Sequence, residues 1–376
     1  MNFPLYFRSR KGEMVNLLKR MVELESPTSD KKAVDACAAF VLKEFRRIGC
    51  RVTTIPQKDV GDLHVLEWGS FRRGEPDGEI LVLSHLDTVW PVGTLSKMPF
   101  YVQGTELHGP GVLDMKGGLV MLYFALATLR SLNIRPTKKI TAFINSAEET
   151  GFRGAHEVIR KLARRSSAVL CLEPAIPGGA LKAERKGRLV VRLTVQGRAA
   201  HAGTPEKGTN ACEELAAQLV RLKRLRTRET TVNIGCVGGG DKPNVVPESA
   251  WAVLDIRFWK SRDREKIITA LKESAPALKG ARVKYTVEHS TPPMERTKAS
   301  AALFDRAAQS AASLGMTLVA GKTGGGSDAS VASGLGIPVL DGLGPDGDGI
   351  HAESEHLLLP SLIERTALLT VLLRDL

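Results

Sequence analysis

The sequence predicts an α/β protein built on a mostly parallel sheet, with a smaller domain inserted into it. Three observations predict this. Apolar, β-branched runs alternate with helical segments through the first half of the chain. A later block follows the order β-α-β-β-α-β, which is that of a ferredoxin-like two-layer sandwich. Strand-and-helix alternation then resumes after Pro292 and Pro293.

The elements follow in order. Residues 79–84 (EILVLS) form an apolar, β-branched run and read as a buried strand. Residues 117–130 (GGLVMLYFALATLR) are apolar and rich in good helix formers. Residues 138–146 (KKITAFINS) read as the next strand. Residues 154–164 (GAHEVIRKLAR) read as a helix whose basic C-terminal end suits the dipole. Residues 168–173 (AVLCLE) are again a short buried strand. From 188–196 (RLVVRLTVQ) the pattern changes to apolar–polar alternation, the mark of a half-exposed antiparallel strand. A helix at 208–226, strands at 230–237 and 249–259, a helix at 262–274 and a strand at 281–288 complete the block. An apolar helix at 358–374 ends the chain. This assigns residues 1–183 and 294–376 to one domain and 184–293 to the insert.

Composition excludes several classes. The 376 residues are 43% hydrophobic and 25% charged, which rules out a disordered or collagen-like chain. The net charge of +12 is spread along the whole length, so it is a weak argument for a nucleic-acid partner, and aromatic residues, at only 5%, are thin for single-strand stacking. The basic segment 219–228 (LVRLKRLRTR) reads as the solvated face of a helix. The five cysteines form no C-x-x-C pair, which argues against a disulfide framework or a four-cysteine zinc site. The N-terminal stretch lacks the apolar core of a signal peptide, and no run reaches the roughly 18 apolar residues of a membrane span. The expectation is a cytoplasmic protein with no membrane partner.

Acids and histidines fall where predicted strands end, and sites in open parallel sheets form past the carboxyl ends of strands. The strand at 79–84 leads into His85 and Asp87, that at 138–146 into Glu148 and Glu149, and that at 168–172 into Glu173. Asp114 precedes a long helix, and His351 follows the glycine-rich GLGPDGDGI. Each has a plain structural reading: a loop histidine, a helix cap at Asp114, a dipole-favoured first turn at Glu148-Glu149, a solvated strand end at Glu173. Together, so many carboxylates on one rim repel each other unless protons or cations neutralise them. Two histidines with several carboxylates suit zinc or a neighbouring divalent ion. A dinuclear arrangement follows, with a bridging carboxylate, ligands on each side and one unligated carboxylate to carry the proton.

The strings SHLDTV (84–89), GPGVLDMKGG (109–118), SAEETG (146–151), LEP (172–174), GRAAHAG (197–203), NVVP (244–247), TGGGSD (323–328) and GIHAESE (349–355) are similar to those of a known family. It is the co-catalytic di-zinc amidohydrolase family of carboxypeptidase G, aminoacylase, acetylornithine deacetylase and succinyl-diaminopimelate desuccinylase. The match runs over roughly residues 12–376 in family order. The resemblance implies a di-zinc catalytic domain and an inserted lid and dimerisation domain. It implies His85, Asp114, Glu149, Glu173 and His351 as ligands of two divalent ions, zinc or else cobalt or manganese. Asp114 would bridge the ions and carry a cis peptide to Met115. Asp87 would orient His85, and Glu148 would be the general base. His201, on its own a polar loop histidine, would cross a dimer interface to hydrogen-bond the oxyanion.

The resemblance also implies Asn244 and Arg257 as substrate contacts from the lid, with Arg257 gripping a carboxylate. Gly324, Gly325 and Gly326 would let backbone amides approach the substrate; the loop lacks the spacing of a phosphate cradle. The implied activity is hydrolysis of an amide bond in a small peptide or N-acyl amino acid. SHLDTV and TGGGSD most resemble the carboxypeptidase G branch, which releases C-terminal glutamate. An N-acyl-amino-acid deacylase on the same site is the alternative. No arginine stands in 286–293 to grip a glutamate side chain.

Overall fold

The computed structural model describes residues 1–69 and 78–376. They divide into two compact units, one of Met1–Ala183, Arg296–Thr323 and Ser327–Leu376, the other of Glu184–Glu295 and Gly324–Gly326.

The first unit is a mixed α/β layer structure. Its main sheet has six strands in the order Arg51–Ile55, Leu63–Trp68, Lys139–Asn145, Glu79–His85, Ser166–Cys171 and Val339–Leu340. The last four pair parallel. The expectation of a mostly parallel sheet needs correction at the other edge, where Arg51–Ile55 and Leu63–Trp68 join antiparallel. The edge strand RVTTI is short and has no fully buried residue, so it lacks the continuous apolar run that marks the inner strands. Glu79–His85 and Lys139–Asn145 are buried at every position after the first. Each fully buried Val, Leu, Ile or Phe there contributes about 1.5–3 kcal/mol of transfer free energy.

Helices cover the sheet. Gly117–Ser131 is buried nearly all round, which its uniformly apolar sequence requires. Gly118 lets this helix approach the strand end closely, since a Cβ there would lie 2.6 Å from the Leu172 carbonyl oxygen. Contrary to the sequence expectation, Val112–Ser131 is long and apolar enough to cross a membrane; it is mostly buried in the core of this unit, as a core helix is. Lys31–Arg47 starts at Asp30, whose carboxylate caps the Lys32 and Ala33 amides, and ends on Arg46 and Arg47. A second, four-stranded sheet has the order Gly347–Asp348, His356–Leu358, Glu106–His108, Tyr101–Gln103.

The second unit is built on a four-stranded antiparallel sheet with two helices, which run β-α-β-β-α-β along the chain, and a two-stranded ribbon of Ala200–His201 and Val245–Val246. Its strands lie in the order Thr230–Gly239, Ser249–Phe258, Gly187–Gln196, Arg282–Thr291. Alternate residues of Gly187–Gln196 are buried, so Leu189, Val191, Leu193 and Val195 join Leu215 and Leu222 of one helix and Ile267 and Leu271 of the other in a single core. Arg221, Lys223, Arg224 and Arg226 of the basic segment are exposed. All five cysteines are free.

Candidate metal centre

The parallel register brings three strand ends together. His85 pairs with Asn145 and Leu83 with Cys171, so Ala147-Glu148-Glu149 and Leu172-Glu173 leave the sheet on either side of His85. The His85 ring, 1% exposed, donates from Nδ1 to the Asp87 carbonyl at 3.0 Å. That contact fixes the ring and turns Nε2 towards Asp114 Oδ1 at 3.1 Å. The Asp87 carboxylate accepts from the backbone amides of Glu148 (3.1 Å) and Glu149 (3.2 Å) and from the Thr28 hydroxyl (2.7 Å). Asp87 thus sets both the histidine and the glutamate pair.

Asp114 sits in the wide turn Val112–Lys116, and its peptide bond to Met115 is cis. The turn follows Gly111, at φ 71°, where a Cβ would meet Thr88 Cγ2 at 2.5 Å. A buried carboxylate, Glu355, clasps this turn. It accepts from the amides of Gly111 (3.0 Å), Leu113 (2.9 Å) and Asp114 (3.0 Å) and from Trp90 Nε1 (2.9 Å). His351, at φ 62°, lies in the loop between Gly347–Asp348 and His356–Leu358. Pairing of His356–Leu358 with Glu106–His108 delivers that loop to the same turn.

Two donor groups result, His85–Asp114–Glu173 and Asp114–Glu149–His351, each with its ligand atoms within 4.8 Å of one another. They share Asp114. Its Oδ1 faces His85 Nε2 at 3.1 Å, and its Oδ2 faces His351 Nε2 at 3.4 Å. Glu173 Oε1 lies 3.5 Å from His85 Nε2, and Glu149 Oε1 3.3 Å from His351 Nε2. One carboxylate offering one oxygen to each side, with one imidazole and one further carboxylate per side, is a donor set that fits two neighbouring divalent ions. Glu148 belongs to neither group, and its carboxylate makes no hydrogen bond or ion pair among the described residues.

The electrostatics are those of crowded acids. Desolvation pushes the Glu148 carboxyl well above the ordinary range, and the nearby Glu173 charge adds to this. Glu149 is raised too, chiefly by desolvation. Asp114 goes the other way: burial opposes ionisation, but hydrogen bonds from His351 and His85 hold it well below the usual carboxylate range. His85 is raised although burial opposes it, because Asp114, Asp87 and Glu173 surround it. Hydrogen bonds to Asp114 and Glu149 raise His351 to about 10.

A ligand imidazole must give up its Nε2 proton to a metal ion, so metal binding is proton-linked. With His351 at about 10, the metal-free ring is protonated at neutral pH. We expect zinc binding at pH 7 to release at least one proton per chain, and affinity to rise as pH climbs towards 10. Calorimetry in buffers of different ionisation enthalpy measures this. A binding heat independent of buffer would contradict it. The same pairing stabilises the metal-free fold fully below pH 6.5 and is lost as pH rises through about 10.

The remaining sequence candidates lie in the second unit. His201 is exposed, and its Nδ1 accepts from the Gly203 amide at 3.0 Å. His201 pairs with Val245, and the Asn244 carbonyl accepts from the Ala202 amide at 3.0 Å, so His201 and Asn244 are neighbours. Arg257 donates to Asp255 Oδ1 at 3.0 Å and to the Gly324 carbonyl at 2.7 Å. Arg185 Nη1 donates to the carbonyls of Gly326 (2.8 Å) and Gly325 (3.2 Å), so the two arginines between them hold all three glycines.

Sequence reasoning missed three supports. Glu355 stands in the quoted string GIHAESE but had no assigned task. Lys182 Nζ lies 3.7 Å from Glu173 Oε2, and the lysine is 7% exposed; in the charged run LKAERK nothing marks it out. Asp328, the last residue of TGGGSD, is raised to about 7 by burial, against a 2.7 Å hydrogen bond from Asn145 Nδ2.

A family model described as "Peptidase family M20/M25/M40" matches residues 81–375. Carboxypeptidase G2 of Pseudomonas sp. (strain RS-16) is 31% identical, over 96% of this chain and 89% of its own. A succinyl-diaminopimelate desuccinylase of Corynebacterium glutamicum is 23% identical, over 95% of each chain. Among solved structures, the aminopeptidase PepT of Bacillus cereus superposes with a TM-score of 0.78 at 22% identity, covering 97% of this chain and 98% of its own.

Proposed function

The chain belongs to peptidase family M20/M25/M40, a family of metal-dependent hydrolases with peptidase and deacylase members, and on that premise we propose that it cleaves an amide bond to release a C-terminal amino acid. The observation that carries the reading is Asp114, one carboxylate facing a histidine on each side. His85, Asp114 and Glu173 would hold one divalent ion and Asp114, Glu149 and His351 the other, with zinc the first choice and cobalt or manganese suited to the same donors. When bound, the two ions polarise the scissile carbonyl and make water acidic near neutral pH.

The chain's own residues do the rest. Glu148, free of both donor groups and desolvated, takes a proton from the attacking water and passes it to the leaving nitrogen. Asp87 keeps the His85 ring and the Glu148 backbone in place. His201, exposed on the inserted unit, supplies a donor to the carbonyl oxygen as its charge develops. In this reading 184–293 is a ferredoxin-like lid through which two copies of the chain pair, and 1–183 with 294–376 is the catalytic domain. Asn244, Arg257 and the backbone of Gly324, Gly325 and Gly326 hold the substrate, with Arg257 on its carboxylate. Replacing His201 with Ala should cut turnover by about 10²–10³-fold, as loss of one oxyanion donor does, and leave metal content unchanged. Undiminished turnover with normal metal content would remove His201 from this role.

Likeness to carboxypeptidase G2 over nearly the whole chain favours peptide-type substrates, with glutamate as the released residue. The likeness to a desuccinylase over 95% of each chain supports the second reading, an N-acyl-amino-acid deacylase. A panel of dipeptides, N-acyl amino acids and a folate-type glutamate conjugate, assayed before and after chelation, separates them. Chelator-sensitive release from peptides and the conjugate supports the first; release from acyl amino acids alone supports the second. No hydrolysis by metal-loaded protein would overturn both.

A further inference from the structure

We propose that Glu106, His108 and His356 form a third metal site, one that takes a divalent transition-metal ion such as zinc and shares no ligand with the dinuclear centre. The three side chains lie on one face of the four-stranded sheet in the first unit. Glu106 and His108 are two residues apart on one strand, and therefore on the same side of it. His356 sits directly opposite His108 on the next strand. The two imidazoles stand 5.2 Å apart between ring centroids, and the ligand atoms of all three residues lie within 4.8 Å of one another. Two adjacent strands thus converge two nitrogens and one oxygen on one point.

The hydrogen bonding prepares these groups for a cation. His356 Nδ1 donates to the Ser354 carbonyl at 2.9 Å, which places its proton on Nδ1 and leaves the Nε2 lone pair outward. His108 Nε2 faces Glu106 Oε2 at 3.0 Å, a contact in which a metal ion replaces the shared proton. Tyr101 stacks on the other face of the His108 ring, with centroids 4.4 Å apart and planes within 1°, and so fixes the ring plane. The His108 side chain is 13% exposed and that of Glu106 41%, so an ion can enter from solvent and keep water in its remaining positions. Two imidazoles and one carboxylate suit zinc, nickel or copper rather than magnesium or calcium.

The test is a count of ions on the full chain, free of any affinity tag, dialysed against excess zinc. We expect three ions on the unaltered chain and two on the chain carrying both His108→Ala and His356→Ala. Its amide hydrolysis should be unchanged, because neither residue belongs to the dinuclear centre. Two ions on both chains would overturn the site, and three on both would place the third ion elsewhere. A measurement on the unaltered chain guards against misfolding of the variant. The imidazole ring signals of His108 and His356 should shift in nitrogen-15 spectra during the third zinc equivalent; silence of both overturns the proposal. The counts do not depend on which amide the dinuclear centre cleaves.

Discussion

Replacing Glu148 with Gln should leave metal content intact and lower turnover by about 10²–10⁴-fold, the range for a lost general base. The argument rests on position. Glu148 follows the same strand as Glu149 but stands outside both donor groups, and Asp87 holds the two backbone amides side by side. The amide of Gln keeps the shape and cannot take a proton. Desolvation and the neighbouring Glu173 raise the Glu148 carboxyl in the metal-free chain, and a carboxylate with a raised pKa takes a proton from water more readily than an ordinary one and keeps it long enough to deliver it to a leaving nitrogen. Since Gln carries no charge, its desolvation is cheaper, and the variant should melt no lower than the parent. Metal analysis and steady-state kinetics on one sample check this. Retained turnover, or a loss of metal that accounts for the lost activity, would remove Glu148 from the role of base.

Replacing Asp114 with Ala should cost the chain both ions of the dinuclear centre together. Each donor group is then reduced to one histidine and one glutamate. Even the loss of an outer partner costs about 10–100-fold in metal affinity, and a ligand common to two ions should cost more. Activity should fall to background. The fold should survive, because Glu355 clasps the backbone amide of residue 114 and not its side chain. Removing Asp114 also takes one repelling charge away from Glu149. Mass spectrometry under native conditions reads the ion count directly. Loss of one ion with the other kept would show that Asp114 serves a single side.

What the sequence made legible follows from physics. The strands at Glu79–His85 and Lys139–Asn145 announce themselves because inner parallel strands need apolar side chains on both faces. His85, Asp87, Glu148, Glu149 and Glu173 stand out because each lies at or just past the end of such a strand, whereas Asp114 precedes a helix and His351 follows a glycine-rich loop. Pairing along Gly187–Gln196 was visible in its strict alternation. The strands Glu106–His108 and His356–Leu358, three residues each, are too short to carry any period, yet they position His351 and Glu355. The helix Lys11–Val22 carries an amphipathic spacing, with Met14, Leu17, Leu18 and Met21 on one buried face, and holds no residue of the site. The direction of each Asp114 oxygen is tertiary information, and no spacing encodes it.

The clasp of Glu355 on the Asp114 turn joins residues 241 positions apart in the chain. Protein synthesis runs from the N-terminus, so His85, Asp114, Glu149 and Glu173 leave the ribosome long before His351 and Glu355 exist. At about 5–20 residues per second, the wait after Glu173 is on the order of ten seconds or more. Through that interval a nascent chain has one of the two donor-group histidines, an unclasped turn and a row of acids. The parallel sheet likewise awaits Val339–Leu340. In the proposed reading the second donor group is therefore incomplete until residues 351–355 are made, and a chain stalled before His351 lacks one of its two imidazoles.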